Sequence, residues 1–228
     1  MRLAIVVLLA VPSLAHADDE CRGADANEES CAAMWPNREG RSPAVVTSGW
    51  ISDSFDPAGH TFDEKRIGYA NVTGQFSGDH IAPMHGNGFY VDVRLHATPL
   101  FYAGVDLRAA WGDAPSATFA FAGGGMTTWD SAWLMTMAGV AGVRIPLGRV
   151  SLRGEIVAGI HGASLANSMT DMSASTVAPL VEPRIAADLW LSPWWAVEAT
   201  AGANALDRSE HVFGVGLALH LQAFDGRY

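Results

Sequence analysis

Between Gly88 and Phe224, seven stretches alternate residue by residue, and one of their two faces carries no charge at all. In Phe89-Tyr90-Val91-Asp92-Val93-Arg94-Leu95-His96-Ala97 the odd positions are apolar and the even ones are aromatic, polar or ionised. A period of two is the signature of a strand with two different surroundings on its two faces. The outward set runs through Phe89, Val91, Val93, Leu95; Ala103, Val105, Leu107, Ala109, Trp111; Trp133, Met135, Met137, Ala141, Val143, Ile145; and on to Phe213, Val215, Leu217, Leu219, Leu221. The inward set collects Asp92, Arg94, Asp106, Arg108, Arg144, Arg153, Glu155, Glu182, Arg184, Asp188 and Glu198, with His96, His161 and His220. Slipping any strand by one residue would exchange the sets. An arginine then facing hydrocarbon would cost about 2–4 kcal/mol near the midplane. The pattern predicts a closed barrel with lipid outside and charge inside.

The connections support the same architecture. From Arg66 the pattern predicts eight strands, over 66–76, 88–98, 101–112, 132–146, 149–162, 180–191, 195–205 and 211–224. Thr98-Pro99-Leu100, Pro146-Leu147-Gly148 and Ser192-Pro193-Trp194 punctuate tight turns. The stretches 77–87, 113–131, 163–179 and 206–210 are mostly longer and rich in Gly, Ser, Asp, Asn and Met. Tight turns at one end and long loops at the other, with an even strand number, is the outer-membrane arrangement. The fold class is all-β: an eight-stranded antiparallel transmembrane β-barrel with an irregular N-terminal extension.

The N-terminus supplies an address. Arg2, an apolar run from Leu3 to Leu14 and Ala15-His16-Ala17 make a signal peptide, cleaved after Ala17. The run is shorter than the roughly 20 residues a spanning helix needs. The domains expected are the signal peptide 1–17, an acidic periplasmic extension 18–65 and the barrel 66–228. Removing 1–17 takes the formal net charge from −10 to −11, and residues 18–65 hold 11 acidic against 4 basic side chains. No basic patch is present, which argues against nucleic acid as a partner. Cys21 and Cys31 are the only cysteines, and export would let them form one disulfide. Trp35 and Trp50 would anchor 18–65 if that segment entered the barrel as a plug.

Aromatic side chains favour the headgroup level, so Trp111, Trp133, Trp190, Trp194 and Trp195, together with Trp129, at strand ends or turns imply two girdles. Parity allows pairings to be argued. A three-residue loop from Pro99 to Phe101 would set Asp92 opposite Arg108 and Arg94 opposite Asp106, and avoid facing Asp92 with Asp106. The same reasoning at Pro193 brings Asp188 near Glu198 and calls for Arg184 or another arginine between them.

Residues 66–224 resemble the OmpA/OmpX-like class of eight-stranded outer-membrane barrels. The last strand, Gly214-Val215-Gly216-Leu217-Ala218-Leu219-His220-Leu221-Gln222-Ala223-Phe224, is similar to the C-terminal signal read by the barrel-assembly machinery, although Asp225 to Tyr228 follow it. The resemblance is architectural and brings no residue-level motif.

An eight-stranded barrel is just wide enough for side chains to fill. Six inward carboxylates against five inward arginines suit a salt-bridged, largely closed interior, because an unpaired buried charge is strongly destabilising. The expected role is envelope structure or surface interaction through extracellular loops. No enzyme, catalytic residue, cofactor or metal is expected, and the partners are outer-membrane lipid, the assembly machinery and a surface ligand of a monomer in the bacterial outer membrane. Two alternatives stand beside it. One is a narrow channel for ions or small solutes. The other is a lipid-modifying enzyme: His161 and Ser164 resemble the His/Ser pair of PagL-type lipid A deacylases, though not that family's His-x-Ser spacing. His80 and His85, with Met84, could take a soft metal.

Overall fold

The computed structural model describes residues 44–64, 72–78, 81–97, 100–147, 149–191, 195–207 and 209–221. Twelve strands follow in chain order: β1 (Ala44–Phe55), β2 (Phe62–Glu64), β3 (Val72–Ser77), β4 (Met84–His96), β5 (Phe101–Gly112), β6 (Thr118–Phe121), β7 (Met126–Thr127), β8 (Ser131–Leu147), β9 (Val150–Asn167), β10 (Met172–Trp190), β11 (Trp195–Ala203) and β12 (His211–His220). Eight of them, in the order β11-β12-β1-β4-β5-β8-β9-β10, form an antiparallel sheet that the β10–β11 pairing closes on itself. Closure leaves no sheet edge, which is what a β-structure in hydrocarbon requires.

The alternation sets the faces. Phe89, Leu95, Val105, Leu107, Met135, Met137, Ile156, Ile185 and Leu217 are exposed on the outer wall. Asp92, Arg94, Asp106, Arg108, Arg144, Arg153, Glu155, Glu182, Arg184, Asp188 and Glu198 are buried inside it. An apolar outer wall around a charged interior inverts the distribution of a water-soluble protein and matches a barrel in lipid. Among the described residues no helix is long and apolar enough to cross a membrane.

The first barrel strand is Ala44–Phe55, not 66–76. β1 pairs with β12 from Val45↔His220 to Asp53↔Val212 and with β4 from Ala44↔Leu95 to Phe55↔Met84. The barrel therefore begins inside the segment expected as an extension, and Trp50 lies on its outer wall rather than in a plug. The physical reason is edge satisfaction: β12 and β4 each present an unpaired row of backbone groups, and β1 fills both. The described part of 66–76 lies elsewhere. β3 pairs with β2 and β6, β6 with β7, and β2 hooks onto β10 through Ala174↔Glu64 and Ser175↔Asp63. These four short strands extend the wall at the long-loop end.

The expected loop 163–179 is mostly strand. β9 and β10 continue to a tip at 168–171, where Asp171 takes a positive φ of 52°. Asp130 Oδ2 accepts the Ser168 N–H at 3.0 Å, which ties the 113–130 connection to that tip. The signal peptide, Cys21, Cys31, Trp35, His80 and Trp194 lie outside the described residues.

Candidate functional site: a charged lumen beneath an aromatic cluster

Strand parity aims the lumen side chains, and the barrel brings them together from all sides. Arg184 on β10 is the hub. Its Nη2 donates to Asp92 Oδ2 at 3.1 Å, its Nε to Glu155 Oε2 at 2.5 Å and its Nη1 to Asp106 Oδ2. Arg108 holds Glu182 with two N–H groups, at 2.9 and 2.7 Å, and Asp106 with its Nε at 2.6 Å. Such forked, charge-assisted contacts are the strong ones. Arg94 donates to Thr47 Oγ1 and, at 2.6 Å, to Glu198 Oε2. Arg153 lies at ion-pair distance from Glu155 (2.8 Å), Glu198 (2.7 Å) and Asp188 (3.2 Å).

The hairpin register differs from the sequence expectation. Asp92 faces Asp106, Arg108 faces Tyr90, and Arg94 faces Gly104. Neither Asp92–Arg108 nor Arg94–Asp106 forms the pair argued above. The turn closes differently, with the Ala97 N–H donating to the Phe101 carbonyl and His96 paired with Tyr102. Like charges tolerate this opposition because Arg184 reaches them from across the lumen. On the other side Asp188 faces Glu198, with Arg153 between them and Arg184 engaged elsewhere.

Two tyrosines that share parity with the charges complete this layer. Tyr102 Oη donates to Glu155 Oε1 at 2.6 Å and Tyr90 Oη to Glu198 Oε1 at 3.3 Å. Each needs a glycine beside it: a Cβ on Gly142 would sit 2.4 Å from the Tyr102 hydroxyl, and one on Gly216 would sit 2.5 Å from that of Tyr90. At the tight-turn end Arg144 donates to Ser151 Oγ at 3.0 Å and lies 5.9 Å from the centre of the Trp190 ring.

Trp190 is therefore not part of a girdle. It is 3% exposed, and its Nε1 donates to Ser151 Oγ. Its position number has the parity of Arg184 and Asp188, which aims it inward. Trp129 is also buried, against Phe119. On the outer wall, Trp111 lies 5.6 Å from Trp133 and 6.0 Å from Phe89, and Trp50 lies 6.2 Å from Phe213. Trp195 is exposed at the tight-turn end.

Toward the long loops the lumen changes character. Asp53 and Glu210 flank the His161 ring, at 3.8 Å from Nε2 and 3.9 Å from Nδ1. Glu210 also accepts from Asn204 Nδ2 at 2.6 Å and from the Asp56 N–H at 3.1 Å, lashing two loops together. Burial acts to raise the Glu210 pKa, but the bonds from His161, Asn204 and Asp56 outweigh it and hold the carboxyl below its ordinary range. Above this layer Phe62, Phe76, Phe119 and Trp129 from the loop strands and connection pack edge-to-face over Phe55, Met84, Leu134 and Leu165 from the wall. Neither the cluster nor Asp53, Tyr90, Tyr102 and Glu210 is anticipated from the sequence. Tyr90 and Tyr102 carry the inward parity that could have revealed them.

The other candidate chemistries separate. His161 is buried in the lumen while Ser164 is exposed on the outer wall, so the two lie on opposite faces of β9 and form no pair. Met84 likewise points inward and His85 outward. Among the described residues no group of three or more His, Cys, Asp or Glu is arranged to hold a metal.

No protein-family model matches the sequence, and no curated protein matches it. Solved structures do resemble its fold. Neisserial surface protein A is 12% identical, with 78% of this chain and 96% of that chain covered at a TM-score of 0.52. The outer membrane protein OprG from Pseudomonas aeruginosa is 8% identical, with 79% and 96% covered at 0.50. Ail, the attachment invasion locus protein of Yersinia pestis, is 15% identical, with 79% and 98% covered at 0.44. At these identities the likeness is one of fold, and the fold is that of the small eight-stranded outer-membrane β-barrels.

Proposed function

We propose that this protein is an integral outer-membrane barrel with a closed lumen, working in envelope structure or surface interaction through its long-loop end. The observation that carries the reading is the double filling of the interior. Five arginines and seven carboxylates, from Arg144 at the tight-turn end to Asp53 beside His161, fill the lumen, and the Phe62–Phe76–Phe119–Trp129 cluster occupies the loop end. Fixed ion pairs of this kind leave little room for a hydrated ion. The export signal, cleavage after Ala17, a Cys21–Cys31 disulfide and recognition by the barrel-assembly machinery fit the same reading. A monomer is expected, since the wall closes within one chain.

The loops supply the working surface. Asp63, Asp113, Asp130 and Asp171 are exposed there. A ligand would thus be met by an acidic, aromatic-backed platform. The test is electrical: purified protein in planar bilayers with 1 M salt as a probe should give no discrete conductance steps. Regular, voltage-stable steps would overturn the closed-lumen reading in favour of a narrow channel.

A further inference from the structure

His85 on β4 and His211 on β12 both point outward at the long-loop rim, although β1 lies between their strands. Their rings lean together over Ser54 of β1, with centroids 5.5 Å apart and planes at 53°. Ser54 is paired with His85 in the sheet, accepts the His211 N–H at 2.7 Å and donates to the His211 carbonyl at 3.0 Å. It is 1% exposed although its position faces outward, and its Oγ lies 3.4 Å from His211 Nδ1. A small residue at this position lets the rings approach across a whole strand.

We propose that His85 and His211 form a site for a borderline divalent cation, Zn²⁺ or Cu²⁺, on the outer wall of the barrel. The spacing is the first argument. Two imidazoles on one tetrahedral ion, each with a metal–nitrogen bond of about 2.1 Å, have ring centroids about 5 Å apart. The second argument is independent of it. His211 Nδ1 lies 3.2 Å from the Ser209 carbonyl, which can only accept, and 3.4 Å from Ser54 Oγ, whose own proton goes to the His211 carbonyl; the tautomer protonated at Nδ1 satisfies both contacts and leaves Nε2 its lone pair. A backbone carbonyl fixing the far nitrogen is the usual support of a metal-bound histidine. Imidazole suits zinc and copper, whereas oxygen-seeking magnesium and calcium would not choose this pair.

The location makes the ion exchangeable. Ser54 lies four residues beyond Trp50 on the same face of β1, about 13 Å along the strand at roughly 3.3 Å per residue, so the pair stands above the aromatic level in wet surroundings. No third described side chain completes the shell, and water or an anionic headgroup oxygen takes the open positions. A bound ion would cross-link β4 to β12 over β1 and so strengthen the region where the barrel closes on its first strand.

The test uses the full chain without a polyhistidine tag, stripped with chelator in detergent. One equivalent of Cu²⁺ should give an electron paramagnetic resonance spectrum with coupling to two imidazole nitrogens, and Zn²⁺ should raise the urea midpoint of unfolding. His85→Ala and His211→Ala should each raise the Cu²⁺ concentration for half-saturation at least tenfold and abolish the Zn²⁺ effect. His60→Ala, whose ring packs on Phe55 instead, should leave both unchanged. His85→Gln and His211→Gln repeat the measurement should an alanine variant fail to fold, with gel mobility before and after boiling reporting folding. No saturable binding in the wild type, or binding that survives either histidine substitution, would overturn the site.

Discussion

Asp92 and Asp106 stand directly opposite each other in the β4–β5 hairpin, and the guanidinium of Arg184, two strands beyond β8, bridges both from across the lumen. In a flat sheet two carboxylates so placed would destabilise the hairpin. In a barrel this narrow a side chain as long as arginine reaches the opposite wall, so pairing is decided across the lumen as much as along the sheet.

Arg184→Ala should therefore cost more than a hairpin pair would. It leaves Asp92, Asp106 and Glu155 short of one shared cation in a water-poor interior, and removing a partner from a buried pair costs about 3–5 kcal/mol. Urea unfolding in detergent measures the loss. Arg184→Lys should recover less than half of it, because one ammonium cannot reproduce the three-way fork. An Arg184→Ala barrel as stable as the wild type would show that the carboxylates do not depend on it.

The outer wall can be tested with one residue. Ile156 is 51% exposed on the lipid face of β9, flanked by Ala141 and Pro183. Ile156→Arg should lower folding free energy by about 2–4 kcal/mol in a bilayer, while Ile156→Leu should be nearly neutral. Folded yield in lipid vesicles, read by gel mobility before and after boiling, distinguishes the two.

The aromatic cluster should unfold apart from the barrel. Phe119 touches Phe62, Phe76, Phe121 and Trp129, and its removal opens a cavity worth about 3–5 kcal/mol. Phe119→Ala is expected to expose 113–130 to protease and shift Trp129 fluorescence, with the barrel's β circular dichroism retained. Gly74→Val should act alike, since a Cβ there would lie 2.1 Å from the Phe119 ring.

Acid should loosen the β11–β12 connection. The Glu210 pKa is held below its ordinary value of 4.5, so its contribution is complete above that pH and is lost as pH falls through the lower folded value. Proteolysis of the 204–210 loop should rise over that acidic window in the wild type. In Glu210→Gln it should be raised at neutral pH and depend less on acid.

How much of this was legible beforehand depends on the physics behind each feature. The faces of β4, β5 and β8 to β12 could be read from residue order alone, because a period of two and the cost of charge in lipid leave one solution per strand. The parity of Asp92, Arg184 and Glu198 fixes that they point inward, and that of Trp190 does the same, although its place beside the turn suggested a girdle. Strand β1 was not legible. Its outer face mixes Val46 and Trp50 with Ser48, Ser52 and Ser54, and its inner face mixes Val45, Ile51 and Phe55 with Thr47 and Asp53, so neither face stands out in hydropathy as those of the others do. Only the two open edges of β4 and β12 select it, and they exist only once the sheet has curled. The partners of each lumen charge, the aromatic cluster and the approach of His85 to His211 belong to the same class. Sequence order determined which face each side chain takes, through strand geometry and desolvation. Barrel closure decided which side chains meet, because it brings together positions that no local spacing relates.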